Sequence, residues 1–179
     1  GDSNPFNFEN VNGTLFFAAN DGVNGTELWK SDGTDAGTVM VKDIHSGGDG
    51  NPNYLRSING TLYFTANDGV NGTELWKSDG TDAGTVMVKD INTAGGSNPA
   101  EVVVIGTTLF FKASDGTNGF ELWKSDGTDG GTVLVKDILA GSSSSSPEFL
   151  TKVGLTLYFS CYDGSDVELW KSDGTNGGT

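Results

Sequence analysis

The sequence predicts an all-β protein: a β-propeller of four blades, each about 47 residues and four strands long, with the outer strand of the last blade missing. Three observations predict it. Glu-Leu-Trp-Lys-Ser-Asp-Gly-Thr begins at Glu27, Glu74, Glu121 and Glu168, 47 residues apart each time; a fixed period of that size marks a repeat architecture. Apolar residues come in short stretches between glycine-rich turns, and no helical period runs anywhere in the chain. Four antiparallel strands in a unit of roughly 45 residues is the arithmetic of a propeller blade. A β-solenoid is the competing architecture, but its stacked parallel strands rarely need three tight hairpins per coil.

The units are 1–47, 48–94, 95–142 and 143–179, read as one repeat domain. From Val11 to His45 and from Ile58 to Asn92, 31 of 35 residues are identical. The four prolines, Pro5, Pro52, Pro99 and Pro147, each open a unit. The first strand follows the proline and carries Phe8 and Val11, with Leu55 and Ile58, Val102 and Ile105, and Leu150 and Val153 as its copies. A hairpin turn comes next, Asn12-Gly13 or Asn59-Gly60, in which both residues tolerate positive φ. The second strand is apolar at consecutive positions, as in Leu15-Phe16-Phe17 and Leu62-Tyr63-Phe64. It therefore needs a sheet covered on both faces. The third strand is Glu-Leu-Trp-Lys, and the Ser31–Gly37 turn leads from it to the fourth, Val39–Lys42. Units two and three repeat that fourth strand, whereas unit four stops at Thr179 before reaching it.

Ten basic against 24 acidic side chains give a net charge of −14. Nucleic acid and anionic membrane are polyanions, so neither is an expected partner. No apolar run approaches the roughly 20 residues that span a bilayer, so no membrane insertion is expected. One cysteine, Cys161, makes no intrachain disulfide, and one histidine, His45, supports no multi-histidine site. The chain opens at Gly1 without a signal-like segment and is expected to be a mature or excised piece of something longer.

Glu-Leu-Trp-x-x-Asp-Gly-Thr-x-x-Gly-Thr followed by Val-Lys-Asp-Ile resembles the bacterial ELWxxDGT repeat, and the resemblance covers essentially the whole chain. It implies a propeller-like domain of large secreted or surface proteins and attaches no activity. The layout is also similar to a kelch blade. That analogy makes the post-proline strand innermost and Val-Met-Val-Lys-Asp-Ile outermost.

Four sets of residues are candidates for chemistry. Asp21, Asn24 and Glu27 recur as Asp68, Asn71 and Glu74, as Asp115, Asn118 and Glu121, and as Asp163, Asp166 and Glu168. Oxygen ligands on a glycine-rich loop suit Ca²⁺, the one cofactor the sequence offers. The competing reading makes them turn residues that cap their own backbone. Asp32 and Asp35 on the Ser-Asp-Gly-Thr turns offer oxygens to a cation or sugar, or simply form the turn. Trp29, Trp76, Trp123 and Trp170 form a ring of sugar-binding aromatics or the packing residues between blades. On strand alternation Glu27 shares a face with Trp29, where it can accept a hydrogen bond or meet a lysine. The sequons at Asn12, Asn24, Asn59 and Asn71 are glycosylation acceptors or turn residues.

No nucleophile sits beside a base, Cys161 reads as an inert thiol, and no carboxylate has a reason in its turn for a raised pKa. The sequence thus predicts a protein that is not an enzyme. It is expected to be an extracellular or cell-surface module acting as a structural scaffold or assembly subunit, with a glycan- or protein-binding propeller as the alternative. The unpaired edge of the last strand, Glu168–Lys171, is expected to take another copy or a neighbouring chain.

Overall fold

A computed structural model describes residues 1–179, which form fifteen strands and no helix. Blade 1 holds β1 (Phe6–Val11), β2 (Thr14–Asn20), β3 (Thr26–Ser31) and β4 (Val39–Lys42). Blade 2 holds β5 (Asn53–Ile58), β6 (Thr61–Asn67), β7 (Thr73–Ser78) and β8 (Val86–Lys89). Blade 3 holds β9 (Ala100–Ile105), β10 (Thr108–Ser114), β11 (Phe120–Ser125) and β12 (Val133–Lys136). Blade 4 holds only β13 (Glu148–Val153), β14 (Thr156–Tyr162) and β15 (Val167–Ser172). Every sheet is an antiparallel meander in sequence order. The fold class is therefore the β-propeller, with the outer strand of the fourth blade absent.

The chain divides into two compact units, Gly1–Asp90 and Ile91–Thr179, of two blades each. In the first unit, Phe16, Leu28, Val41 and Ile44 of blade 1 pack on Leu62, Phe64, Ala66 and Trp76 of blade 2. In the second, Phe110, Leu122 and Val135 of blade 3 pack on Leu157, Phe159 and Cys161 of blade 4. The middle strand of a blade is apolar on both faces because alternate residues feed opposite interfaces. Each buried Leu or Phe contributes about 2 kcal/mol by leaving water.

Inner strands meet within each unit: β1 lies against β5, and β9 against β13. Asn7 Nδ2 donates to Pro52 O at 3.1 Å, and the Ser57 amide donates to Glu9 Oε1 at 2.9 Å. All four of these strands are the post-proline segments, placed at the end of the sheet where the kelch-like order expects them. The outer strand is shorter than the repeated motif, because Asp43 and Ile44 leave the ladder after Lys42. Ile44 instead joins the core, and its amide is bound by Glu27.

Candidate functional site

Asp21 sits at the start of the β2–β3 hairpin. Its Oδ1 accepts from the amides of Val23 and Asn24, each at 2.8 Å, and its Oδ2 accepts from Asn24 Nδ2 at 2.7 Å. Asp68 with Asn71 and Asp115 with Asn118 repeat the arrangement. In blade 4, Asp163 caps Ser165 and Asp166, and Asp166 has no amide side chain to return. The Asn24 and Asn71 sequons are thus tied into their turns. The amides of Asn24 and Val23 hold the Asp21 carboxyl below its ordinary range. Burial pushes Asp68 up, but the amides of Asn71 and Val70 outweigh it and the net shift is downward.

Glu27 belongs to a different group. It is fully buried, and its carboxylate accepts from the amides of Ile44 (2.9 Å), His45 (3.3 Å) and Gly50 (2.8 Å). It meets backbone rather than a lysine. These amides belong to the linker between blades, which is also held by Asn51 N donating to Thr26 O and Asn67 N to Gly50 O. Glu121 does the same for the linker after blade 3, binding the Ile138 amide and both the amide and hydroxyl of Ser145. Burial raises the carboxyl pKa of Glu27 and Glu121, and the donors oppose it without cancelling it. The turns give no carboxylate a reason for a raised pKa, and Asp21, Asp32, Asp68, Asp115 and Asp163 are indeed lowered; Glu27 and Glu121 are raised because they are buried on strands.

The expected ligand triplet is therefore split. Asp21 and Asn24 form one closed unit and Glu27 another, and no three His, Cys, Asp or Glu side chains converge to hold a metal. Glu168 is exposed, unlike Glu27, Glu74 and Glu121. Asp32 is equally engaged, its Oδ1 accepting from the amide and hydroxyl of Thr34, which lower its pKa, the hydroxyl most.

The tryptophans are packing residues in blades 2 and 3, where Trp76 and Trp123 are buried. Trp29 is half-buried, and Phe17, its partner across the β2–β3 ladder, lies against Phe8 with ring centroids 6.0 Å apart. Trp170 is half-buried under the Lys136 ammonium, 5.8 Å from its ring centroid. Cys161 is buried, and desolvation, helped by Glu121 and Asp163, pushes its thiol up to about 12. That makes it a poor nucleophile. His45 Nδ1 lies 3.1 Å from Asp49 O within the linker.

An open surface lies on blade 4. A recess of about 600 Å³ runs along β15, walled by Tyr158, Leu169, Trp170, Lys171 and Thr179. Sequence reading located the unpaired edge of β15 but not this face. A signal existed, since Leu169 copies the core residue Leu28 while nothing in unit four copies Val41 or Ile44.

No protein-family model and no curated protein matches the chain. Solved structures do resemble it. Puromycin hydrolase superposes with a TM-score of 0.61 at 14% identity, over 90% of this chain and 26% of the hydrolase. A prolyl endopeptidase gives 0.55 at 13%, over 95% and 27%. TolB from Acinetobacter baumannii gives 0.52 at 16%, over 90% and 38%. The chain spans well under half the length of each. At such identities the likeness is one of fold alone.

Proposed function

We propose that this chain is a non-enzymatic, extracellular repeat module that serves as a structural scaffold or assembly subunit. One observation carries the reading. Most of the polar side chains that looked available for chemistry are spent on the protein's own backbone, while the surface that an adjacent blade would cover lies open at blade 4. The extracellular placement rests on the net charge of −14 and on the resemblance to ELWxxDGT repeats. Electron microscopy of the purified protein tests the reading and should reveal polymers or discrete oligomers. Isolated single particles that retain a glycan on an array would overturn it.

The recess on blade 4 favours a second reading, a glycan- or protein-binding propeller. Tyr158 and Trp170 supply aromatic walls there, and Lys171 and Asp173 supply polar groups, the combination that grips a sugar ring. Ca²⁺ would enter this reading only as a stabiliser of the Asp21-type hairpins.

A further inference from the structure

We propose that the open face of blade 4 binds the first blade of a second copy of this chain, head to tail, in the way blade 1 holds blade 2. The proposal deepens the assembly reading and rests on it. Its basis is that the same contact is already built twice within the chain.

In each internal contact one blade offers an aromatic ring, a leucine and a lysine. Phe16 of blade 1 reaches Gly80 of blade 2, and a side chain added at Gly80 would come within 3.1 Å of its ring. Lys30 Nζ donates to Gly80 O at 2.8 Å. Between blades 3 and 4, Phe110 meets Gly174 and Lys124 Nζ donates to Gly174 O at 2.7 Å. Leu28 and Leu122 are sealed behind these contacts. Blade 4 carries the same set as Tyr158, Leu169 and Lys171, of which Tyr158 is half-buried and Leu169 and Lys171 are exposed. Leu169 is 77% exposed, whereas Leu28, Leu75 and Leu122 are 0% exposed.

The matching surface stands open on blade 1. Phe8 is 58% exposed where its copies Leu55 and Leu150 are 3% and 7% exposed, and Leu15 is 38% exposed where Leu62 and Leu157 are 0%. Gly33, the copy of Gly80 and Gly174, has open space around it. From Val11 to His45 blade 1 repeats blade 2 at 31 of 35 positions, so the part of its free face built from Leu15 and Gly33 has the shape that a blade of this chain already accepts, while on β1 Phe8 stands where β5 has Leu55. In the assembled pair, Lys171 donates to Gly33 O, Tyr158 covers Gly33, and Leu169 is buried under Leu15 and Phe8. The two surfaces differ from each other, so the contact is heterologous: repeated, it gives a ring if the rotation closes and a filament if it does not.

The test uses the whole chain and three variants, L169D, F8D and K171M, followed by sedimentation velocity from about 1 µM to about 1 mM. Wild type should grow in mass with concentration. L169D and F8D should each stay at the mass of one chain, with association weakened at least about 100-fold, as expected for a lost interface anchor. An equimolar mixture of the two should stop at two chains, since each retains one intact surface. K171M should weaken association about tenfold through one lost charged hydrogen bond. The melting temperature of L169D should match wild type, because Leu169 is exposed in the single chain, and that of F8D should fall slightly with the loss of the Phe8–Phe17 contact. Oligomers that survive L169D and F8D would overturn this interface in favour of pairing along the β15 edge, leaving the assembly reading intact. A wild type that stays monomeric throughout would overturn both.

Discussion

Glu27 and Glu168 hold the same place in the repeat and differ in everything around them. The Glu27 carboxylate satisfies three linker amides, and Glu168 lies in solvent. Glu27→Gln would turn an amide NH₂ toward backbone donors and leave at least one of them unpaired. It should cost about 1–3 kcal/mol, whereas Glu168→Gln should leave the melting temperature unchanged; thermal unfolding of the pair checks both. Acid should act through the other carboxylates. Asp21, Asp32, Asp68, Asp79, Asp115, Asp163 and Asp173 all sit below their ordinary value of 3.8. The stability they contribute is present above that value and is lost as pH falls through their lowered folded values. Glu27 and Glu121, raised above 4.5, work in the opposite sense: their contribution is complete below the ordinary glutamate value and fades as pH rises through their folded values. The melting temperature should therefore peak in weak acid and fall on both sides. Glu27→Gln should flatten the fall on the neutral side.

At the scale of elements, the turn between the third and fourth strands does more than reverse the chain. Its Ser-Asp-Gly-Thr tip is the seat for the preceding blade's aromatic ring and lysine. Gly80 and Gly33 have nearly the same φ, +89° and +92°, so alanine is strained at either by about 1–2 kcal/mol. Only at Gly80 does the new methyl also press on Phe16. Gly80→Ala should therefore lower the melting temperature more than Gly33→Ala, and denaturant titration of the two variants measures the difference. The inner strands hold a feature that the sequence pattern conceals. Asn7, Tyr54, Glu101 and Phe149, at one position of the repeat, all have φ between 52° and 58°. The inner-strand ladder shifts register there in every blade. Four different side chains share the conformation, so the neighbouring strands impose it rather than the residue type.

At the scale of the molecule, charge opposes assembly. Each copy carries −14, and bringing copies together concentrates like charge. Salt screens that repulsion without weakening apolar contact. Raising ionic strength from about 20 mM to about 500 mM should strengthen self-association, and sedimentation at a fixed protein concentration reads the shift. Millimolar Ca²⁺ should do no more than the same charge screening, because Asp21, Asp68 and Asp115 already accept hydrogen bonds at both carboxylate oxygens from their own turns. A rise in melting temperature specific to Ca²⁺ over Mg²⁺ would refute that.

The sequence alone determined the number of blades in this chain and the order of their strands, because a 47-residue period, recurring prolines and glycines, and short apolar stretches are local and repeat. It also placed Asp21 and Asn24 correctly in a turn of their own, since an Asx turn is made by neighbours in the chain. The partners of Glu27 came only from the tertiary structure. The Gly50 amide lies 23 residues away and reaches the carboxylate because the linker folds back beneath β3 as it crosses to the next blade. The fate of the leucine in Glu-Leu-Trp-Lys was likewise undecided by its motif. Leu28 and Leu169 stand in identical words of the sequence, and whether such a residue is core or open surface depends on whether another blade lies against it.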